Sequence, residues 1–315
     1  MVKHMNKSFK CIGSGLITLD ILIKDLNFRS FRYYAGGSCG NVLTILSHLG
    51  WNVFPIARLN SNKHAKRLLN DLRDNNVNLD FVTVDESGST PIIIQRNVID
   101  KFGNPKHKFE LIDPITGKYL PRFKSITKGM ALDLISRSFI PEVFYFDRLT
   151  PGIGDLVKFY KNSGALIVYE PSSLKEKDFL SIAPYIDILK YSDQRIKNYK
   201  KIFPSSIIPL EIETRGVNGL DYRFNMMGMQ WKSLSPIRIS SFIDASGAGD
   251  WSTAGFLYML FTKSENGLNY INANQLEDSL NFAQKLGALN CQFEGARGLM
   301  RFCKEDLLSK LENLK

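Results

Sequence analysis

The stretch Asp244-Ala245-Ser246-Gly247-Ala248-Gly249-Asp250 stands directly before an apolar, helix-forming run at 251–261. Small residues before a first helical turn let successive backbone N–H groups converge, and the helix dipole favours negative charge there. The stretch therefore predicts an anion-binding cradle with a carboxylate built in. That carboxylate, Asp250, would repel a phosphate unless it accepts a proton or holds a metal. The alternative interpretation is an ordinary glycine-rich helix cap with Asp250 in the first turn.

Composition and length narrow the class of protein. The chain has 315 residues, of which 44% are hydrophobic and 23% charged, values that are ordinary for a globular enzyme. The longest wholly apolar stretches, such as 256–261, are far shorter than the roughly 18 residues that a membrane span needs. The first ten residues hold several lysines and no apolar run, which is unlike a secretory signal. We therefore expect a cytoplasmic protein without a membrane contact.

Cysteine spacing and net charge indicate which metals and ligands the chain could bind. The four cysteines lie far apart without a Cys-x-x-Cys pair, which predicts free thiols rather than a zinc site or a disulfide scaffold. The net charge is +10, and the positive excess lies in residues 1–210. Because the basic residues are mostly scattered, the charge favours small anionic metabolites over nucleic acid.

Hydrophobic patterning predicts an α/β fold. Runs rich in β-branched and aromatic residues alternate with segments of helical period, an order typical of βαβ units and a mainly parallel sheet. The predicted strands are 9–12, 53–59, 143–146, 166–169, 186–189 and 207–212. The predicted helices are 39–49, 62–75, 129–137, 152–162, 173–182, 247–262, 274–292 and 304–313. The alternation breaks at 90–125, where strands 92–98 and 107–112 flank a turn-forming cluster at 100–105, which predicts an added β-hairpin.

Two further segments have the residue types of a ligand site. Gly36 and Gly37 open a helix that carries Asn41, whose amide offers a donor and an acceptor to hydroxyl groups. Asp20 follows the apolar run near the N-terminus and could accept hydrogen bonds from a polyol. The alternatives are a common Gly-Gly turn for the first segment and a surface-loop aspartate for the second.

Together these segments resemble the ribokinase-like family of PfkB-type carbohydrate kinases. The family signature Asp-Thr-x-Gly-Ala-Gly-Asp is matched at 244–250, with Ala245 in place of threonine. The family's Gly-Gly-x-x-x-Asn element is matched by residues 36–41, and its Thr-x-Gly-x-x-Gly stretch by residues 214–219. The resemblance runs over essentially the whole chain.

The resemblance implies a fold and an activity. We expect a single ribokinase-like α/β domain over residues 1–315, with a Rossmann-like, mainly parallel sheet flanked by helices and a small β-sheet lid from about 16–38 and 90–112. It implies an ATP-dependent kinase that phosphorylates a hydroxyl of a small sugar, such as a ketose or a pentose. A nucleoside is the alternative acceptor. Many relatives dimerise through lid strands, so a homodimer is expected.

The resemblance also implies roles for individual residues, and the helix dipole predicts that the base Asp250 is ionised at neutral pH. The catalytic set is Asp250 as general base, with the backbone of Gly247, Ala248 and Gly249 as the anion hole. The acceptor-binding set is Asp20, Gly36, Gly37 and Asn41. The nucleotide-binding set is Thr214, Gly216, Gly219 and Gln284. Mg²⁺ is expected on the ATP phosphates, and a monovalent cation such as K⁺ near Asp244.

One departure from the family supports a second hypothesis. The family's Asn-x-x-Glu element, whose Glu helps to organise Mg²⁺ through water, is replaced by Ser192-Asp193-Gln194-Arg195. Asp193 is the candidate substitute, whereas Arg195 has the opposite charge to the missing Glu. The alternative function is therefore a catalytically weakened relative that binds a sugar and acts as a regulator. The intact 244–250 signature favours the enzyme.

Overall fold

The computed structural model describes residues 8–23, 31–99 and 105–303. Its strands are β1 (Lys10–Ser14), β2 (Thr18–Ile23), β3 (Phe31–Gly36), β4 (Asn52–Leu59), β5 (Val82–Val84), β6 (Ile92–Ile99), β7 (Pro105–Glu110), β8 (Val143–Phe146), β9 (Leu166–Tyr169), β10 (Ile188–Ser192), β11 (Leu210–Thr214), β12 (Leu220–Phe224) and β13 (Lys232–Leu234). Its α-helices are α1 (Ser38–His48), α2 (Lys63–Asp74), α3 (Lys128–Ser136), α4 (Pro151–Asn162), α5 (Glu176–Ile182), α6 (Tyr199–Ile202), α7 (Ala248–Lys263), α8 (Ala273–Asn290) and α9 (Gly298–Phe302).

A nine-stranded sheet in the order β13-β12-β11-β10-β9-β8-β1-β4-β5 forms the centre of the molecule. The strands from β11 to β5 are parallel, whereas β12 and β13 add an antiparallel edge. Along β8, Val143 and Tyr145 face the core beside α1, α7 and α8, while Phe144 and Phe146 face the core beside α3 and α4. Both faces of the strand are buried because helices cover both sides of the sheet, as expected for parallel strands.

A second, four-stranded sheet has the order β3-β2-β6-β7. In it, β2 pairs antiparallel with β3 and parallel with β6, and β6 and β7 form an antiparallel hairpin. The small sheet is tied to the large one at the carboxyl end of β8, where the Asp147 carboxylate accepts hydrogen bonds from the Leu16 amide and the Ser38 hydroxyl. This sheet therefore lies at the carboxyl edge of the parallel strands, where ligands bind in open α/β sheets.

The predicted fold class is confirmed, and the predicted elements lie close to the observed ones within the described residues. The strand predicted at 207–212 lies at Leu210–Thr214, and the antiparallel strands β12 and β13 were not predicted. The predicted turn at 100–105 falls mostly, and the helix at 304–313 entirely, outside the described residues. Among the described residues, none of the helices combines the length and the apolar character needed to cross a membrane.

A buried ion pair holds the antiparallel edge together. Glu211 of β11 lies directly opposite Arg223 of β12, and the Arg223 Nη2 atom is 2.6 Å from the Glu211 Oε2 atom. The Glu211 side chain is fully buried, and its Oε1 atom accepts a hydrogen bond from the Tyr199 hydroxyl at 2.6 Å. Glu211 lies three residues before Thr214, where β11 ends and the 214–219 turn begins.

Replacing Arg223 with Met should leave the Glu211 carboxylate buried without its cation. We expect the free energy of unfolding, measured by urea denaturation, to fall by about 3–5 kcal/mol. The double variant Glu211→Gln/Arg223→Met removes both charges, so it should be more stable than Arg223→Met alone. A double variant of equal or lower stability would show that the pair does not act through its charges.

Candidate active site

The 244–250 stretch forms a tight loop into the first turn of α7. Gly247 has a left-handed backbone with φ of 74°, and a Cβ atom there would lie 2.2 Å from the Ala296 carbonyl oxygen. Glycine is therefore required at this position on two counts. The Ala248 amide donates to the Ala245 carbonyl at 3.2 Å. The amides of Gly249 and Asp250, in the first turn, lack acceptors within their own helix and are suited to an anion.

Asp244 organises this loop. The residue is 1% exposed, its Oδ1 atom accepts a hydrogen bond from the Ser246 amide, and its Oδ2 atom accepts one from the Gly295 amide, both at 2.7 Å. The carboxylate thus links the cradle to the segment that follows α8. The described residues contain no group of three or more His, Cys, Asp or Glu side chains that could share a metal ion. A monovalent cation near Asp244 stays a prediction.

The Asp250 carboxyl lies half-buried beside Asn41. The Asn41 Nδ2 atom donates a hydrogen bond to the Asp250 Oδ2 atom at 2.8 Å. Burial, together with the negative charge of Glu170, raises the pKa of Asp250 to about 8, although Asn41 and the nearby Lys190 and Arg195 charges act in the opposite direction. This direction is opposite to the expectation of an ionised Asp250 at neutral pH, because the loss of solvation favours the neutral carboxyl.

A Glu170–Lys190 ion pair contacts the main chain of the cradle. The Lys190 Nζ atom lies 2.6 Å from the Glu170 Oε1 atom and donates to the Gly249 carbonyl oxygen at 3.2 Å. The Glu170 Oε2 atom accepts hydrogen bonds from the Thr253 hydroxyl at 2.6 Å and the Tyr145 hydroxyl at 3.2 Å. Sequence reasoning did not find this pair. The available signal was Lys190 itself, a lysine within a buried strand, where an unpaired charge is very costly.

Asp20 and Asn41 line one cavity between the small sheet and the segment after α8. Other residues of its wall are Tyr34, Gln95, Glu294, Arg297 and Arg301. Burial raises the pKa of Asp20 to about 6, against a hydrogen bond from the Thr18 hydroxyl and the charges of the two arginines. The Asn41 Oδ1 atom is buried without a partner among the described residues, so it is available to a ligand hydroxyl.

The two glycines before α1 permit this close packing. A Cβ atom on Gly36 would lie 2.0 Å from the Asp20 Oδ2 atom, so the absence of a side chain makes room for that carboxylate. Gly37 has φ of 80°, and a Cβ atom there would lie 2.3 Å from the Leu16 carbonyl oxygen. Both glycines therefore act on the geometry of the cavity wall.

The residues predicted for nucleotide binding lie near the antiparallel edge of the large sheet. Thr214 ends β11, and its carbonyl oxygen accepts a hydrogen bond from the Asp193 amide at 3.1 Å. Gly219, with φ of 85°, approaches the Leu234 carbonyl so closely that a Cβ atom would lie 2.2 Å from it, and Gly216 also has a positive φ of 56°. The Gln284 Nε2 atom donates to the Ser235 carbonyl at 3.2 Å.

Sequence reasoning also missed the arginines of the cavity that Asp20 and Asn41 line. Arg297 and Arg301 lie in the segment that closes the cavity after α8, and nothing in their spacing indicates a ligand. Their position depends on how this late segment packs against β3, which is a tertiary contact: the Arg297 Nη2 atom donates to the Ala35 carbonyl oxygen at 2.6 Å.

Comparisons with known sequences point to one family. A model described as pfkB family carbohydrate kinase matches residues 7–98. Among curated proteins, the chain is similar to the probable chloroplastic fructokinase-6 of Arabidopsis thaliana, with 24% identity over 324 residues, covering 91% of this chain and 78% of that protein.

Comparisons with solved structures agree on the fold. The fructokinase of Xylella fastidiosa with bound ATP matches with a TM-score of 0.74 and 16% identity, over 96% of this chain and 97% of that chain. The fructokinase of Vibrio cholerae O395 in its fructose-, ADP- and calcium-bound form matches with a TM-score of 0.68 and 17% identity, over 92% and 95% of the two chains. At these identities the likeness establishes the fold.

Three observations favour the same kind of protein. They are the cradle at 244–250, the parallel sheet with its small companion sheet, and the sequence matches. The resemblance inferred from the sequence agrees with these comparisons: residues 7–98 are similar to the pfkB family carbohydrate kinases, and the fold over nearly the whole chain is that of ribokinase-like kinases.

Proposed function

We propose that the protein transfers the γ-phosphoryl group of ATP to a hydroxyl of a small sugar, with Asp250 as the general base. One observation carries this proposal: the Asp250 carboxyl, in the first turn of α7, is hydrogen-bonded to Asn41, and Asn41 lines the cavity that also contains Asp20. A proton acceptor, an anion cradle and a polar acceptor pocket thus meet at one point.

The sugar class is supported by the similar proteins. The Arabidopsis relative is named a fructokinase, and the Vibrio structure holds fructose and ADP. A ketose or a pentose is therefore the first acceptor to test. The nucleoside acceptor and the weakened regulatory relative stay predictions, as do the cytoplasmic location and the homodimer formed through the small sheet, which is the proposed lid.

In the proposed reaction, the acceptor hydroxyl oxygen attacks the γ-phosphorus while its proton passes to the Asp250 carboxylate. The bond between that phosphorus and the ADP oxygen breaks, so ADP leaves with the electron pair. Most of the catalysis in phosphoryl transfer comes from positioning and charge stabilisation. The backbone of Gly247, Ala248 and Gly249 is proposed to hold the transferring group, although the Ala248 amide first has to leave the Ala245 carbonyl.

Mg²⁺ is proposed to arrive with ATP. The residues present fit this, since the Asp193 Oδ1 atom is buried without a partner among the described residues and a carboxylate oxygen is a ligand that Mg²⁺ prefers. Asp193 would hold the ion directly or through water, and the ion would neutralise charge on the phosphates. K⁺ near Asp244 belongs to the same proposal, supported by the family resemblance.

Asp250→Asn keeps the shape of the side chain and removes the base. We expect turnover to fall by about 10² or more, with ATP binding unchanged or tighter because a negative charge near the phosphates is gone. ADP release measures the first effect and calorimetry the second. Asp278→Asn, on the exposed face of α8, is the control and should turn over normally. Normal turnover of Asp250→Asn would remove Asp250 from the role of base.

The raised pKa of Asp250 predicts a pH profile. Since the base has to be ionised, kcat/KM should rise with pH and level off above about 8. Glu170→Gln removes a negative charge that raises this pKa and leaves the Lys190 cation to lower it, so the midpoint of the rise should move to lower pH. Glu265→Gln, an exposed carboxylate, should leave the midpoint unchanged. A midpoint that stays in place or moves upward in Glu170→Gln would contradict this electrostatic coupling.

Asp20 should act on acceptor binding alone. If its carboxylate accepts hydrogen bonds from acceptor hydroxyls, Asp20→Ala should raise the acceptor dissociation constant by about 10- to 100-fold, the usual value of a hydrogen bond to a charged group. The ATP dissociation constant should stay within twofold. Calorimetry on each ligand separates the two effects, and an unchanged acceptor constant would place Asp20 outside the binding site.

A further inference from the structure

Arg297 offers an unused donor to the acceptor cavity. Its side chain is 2% exposed, and its Nη2 atom donates to the Ala35 carbonyl oxygen at 2.6 Å and to the Asp71 Oδ1 atom at 2.7 Å. These two contacts explain how Arg297 anchors β3. They leave the Nη1 atom buried without a partner among the described residues, in a side chain that lines the cavity. A buried donor of this kind is costly unless a ligand accepts from it.

Arg301 adds a second guanidinium to the same wall. Its guanidinium carbon lies 3.5 Å from the centre of the Tyr34 ring, and its Nη2 atom lies 3.9 Å from the Asp71 Oδ2 atom. Arg301 and Tyr34 both line the cavity. Burial, and next the neighbouring charge of Arg297, lower the pKa of Arg301 to about 10, so the two cations repel each other across this wall.

Three carboxylates lie near this pair of arginines. Asp71 is shared by both arginines, and its Oδ2 atom also accepts the Ala35 amide hydrogen at 3.0 Å. Asp20 and Glu294 also line the cavity. Asp20 is the residue proposed to hold hydroxyls, and its raised pKa of about 6 reduces its charge at mildly acidic pH. Two guanidinium groups on one wall match a planar or tetrahedral oxyanion, which accepts several N–H groups at once.

We propose that the preferred acceptor carries an anionic group, a carboxylate or a phosphate ester, and that Arg297 and Arg301 bind that group. This inference rests on the proposed kinase function and names the substrate class of the same site. The hydroxyl end of the acceptor then faces Asn41 and Asp250, while the anionic end is held against β3 and α9. A neutral sugar fills the hydroxyl end and leaves the Arg297 Nη1 donor without a charged partner.

The test compares matched acceptors. Each pair shares a carbon skeleton: D-gluconate with D-glucose, D-ribonate with D-ribose, and D-fructose 6-phosphate with D-fructose. The carboxylate pairs and the phosphate pair distinguish the two sources of charge. We expect kcat/KM at saturating MgATP to be at least about tenfold higher for the anionic member of one pair, the effect of one charge-assisted hydrogen bond.

The chain offers a matched set of variants. Arg301→Met should bring the ratio of the two kcat/KM values close to one, and Arg301→Lys, which keeps the charge, should restore part of it. Arg67→Met is the control. Arg67 lies 4.0 Å from the ring of Tyr33, the neighbour of Tyr34 on β3, but does not line the cavity. The ratio for Arg67→Met should equal that of the wild type.

The outcomes separate this inference from the proposed function. If neutral sugars are phosphorylated as fast as their anionic partners, the inference is overturned and the kinase proposal stands. The same holds if Arg301→Met lowers kcat/KM equally for both members of a pair. If no acceptor is turned over, calorimetry with ADP in the nucleotide site measures whether the anionic member binds. If the anionic member binds and Arg301→Met weakens that binding, the inference is upheld while the kinase proposal fails. Absence of such binding overturns both.

Discussion

The hydrogen bond from Asn41 to Asp250 joins the two halves of the site. Asn41 lies in the first turns of α1 and Asp250 in the first turn of α7, so the bond sets two helix N-termini at a fixed distance, 2.8 Å between the Nδ2 and Oδ2 atoms. The glycines beside both residues allow this approach. Gly37 precedes α1 and Gly247 precedes α7, both with backbone angles that other residues rarely adopt. A side chain at either position would therefore move the acceptor pocket relative to the anion cradle.

The burial that makes this bond strong also sets the chemistry of Asp250. A carboxyl removed from water favours its neutral form, and a neutral Asp250 is compatible with the nearby Glu170 carboxylate. Lys190 limits the effect, since it neutralises Glu170 and contacts the Gly249 carbonyl in the cradle. Asp250, which is the proposed base, the cradle and this buried pair are thus electrostatically coupled, so a change of charge at one member alters the proton affinity of another.

The sequence was sufficient for the parts of the site that are local. The 244–250 stretch predicted a helix N-terminus because small residues and an apolar helix are adjacent in the chain, and Asn41 followed from the glycines that precede α1. The pair Glu170–Lys190 joins the residue after β9 to β10, and the edge pair Glu211–Arg223 joins β11 to β12, so no spacing in the sequence reveals them. The ionisation of Asp250 was misjudged for the same reason, since its burial comes from elements distant in sequence.

The cavity wall after α8 and the anion cradle are held together by hydrogen bonds between side chains and the main chain. The Ala296 carbonyl oxygen accepts from the Trp251 Nε1 atom at 3.1 Å, the Gly295 amide donates to Asp244, and Asn290 donates to the Ser246 carbonyl at 2.8 Å. The backbone of residues 294–298 is therefore fixed by the cradle itself, whereas the side chains that it carries point to the acceptor cavity. Substitution of the side chains on this segment would therefore alter which acceptor binds without moving the proposed phosphoryl-transfer site. Arg297, on this segment, and Arg301, in α9, both line the cavity and are the residues proposed to set the specificity for the acceptor.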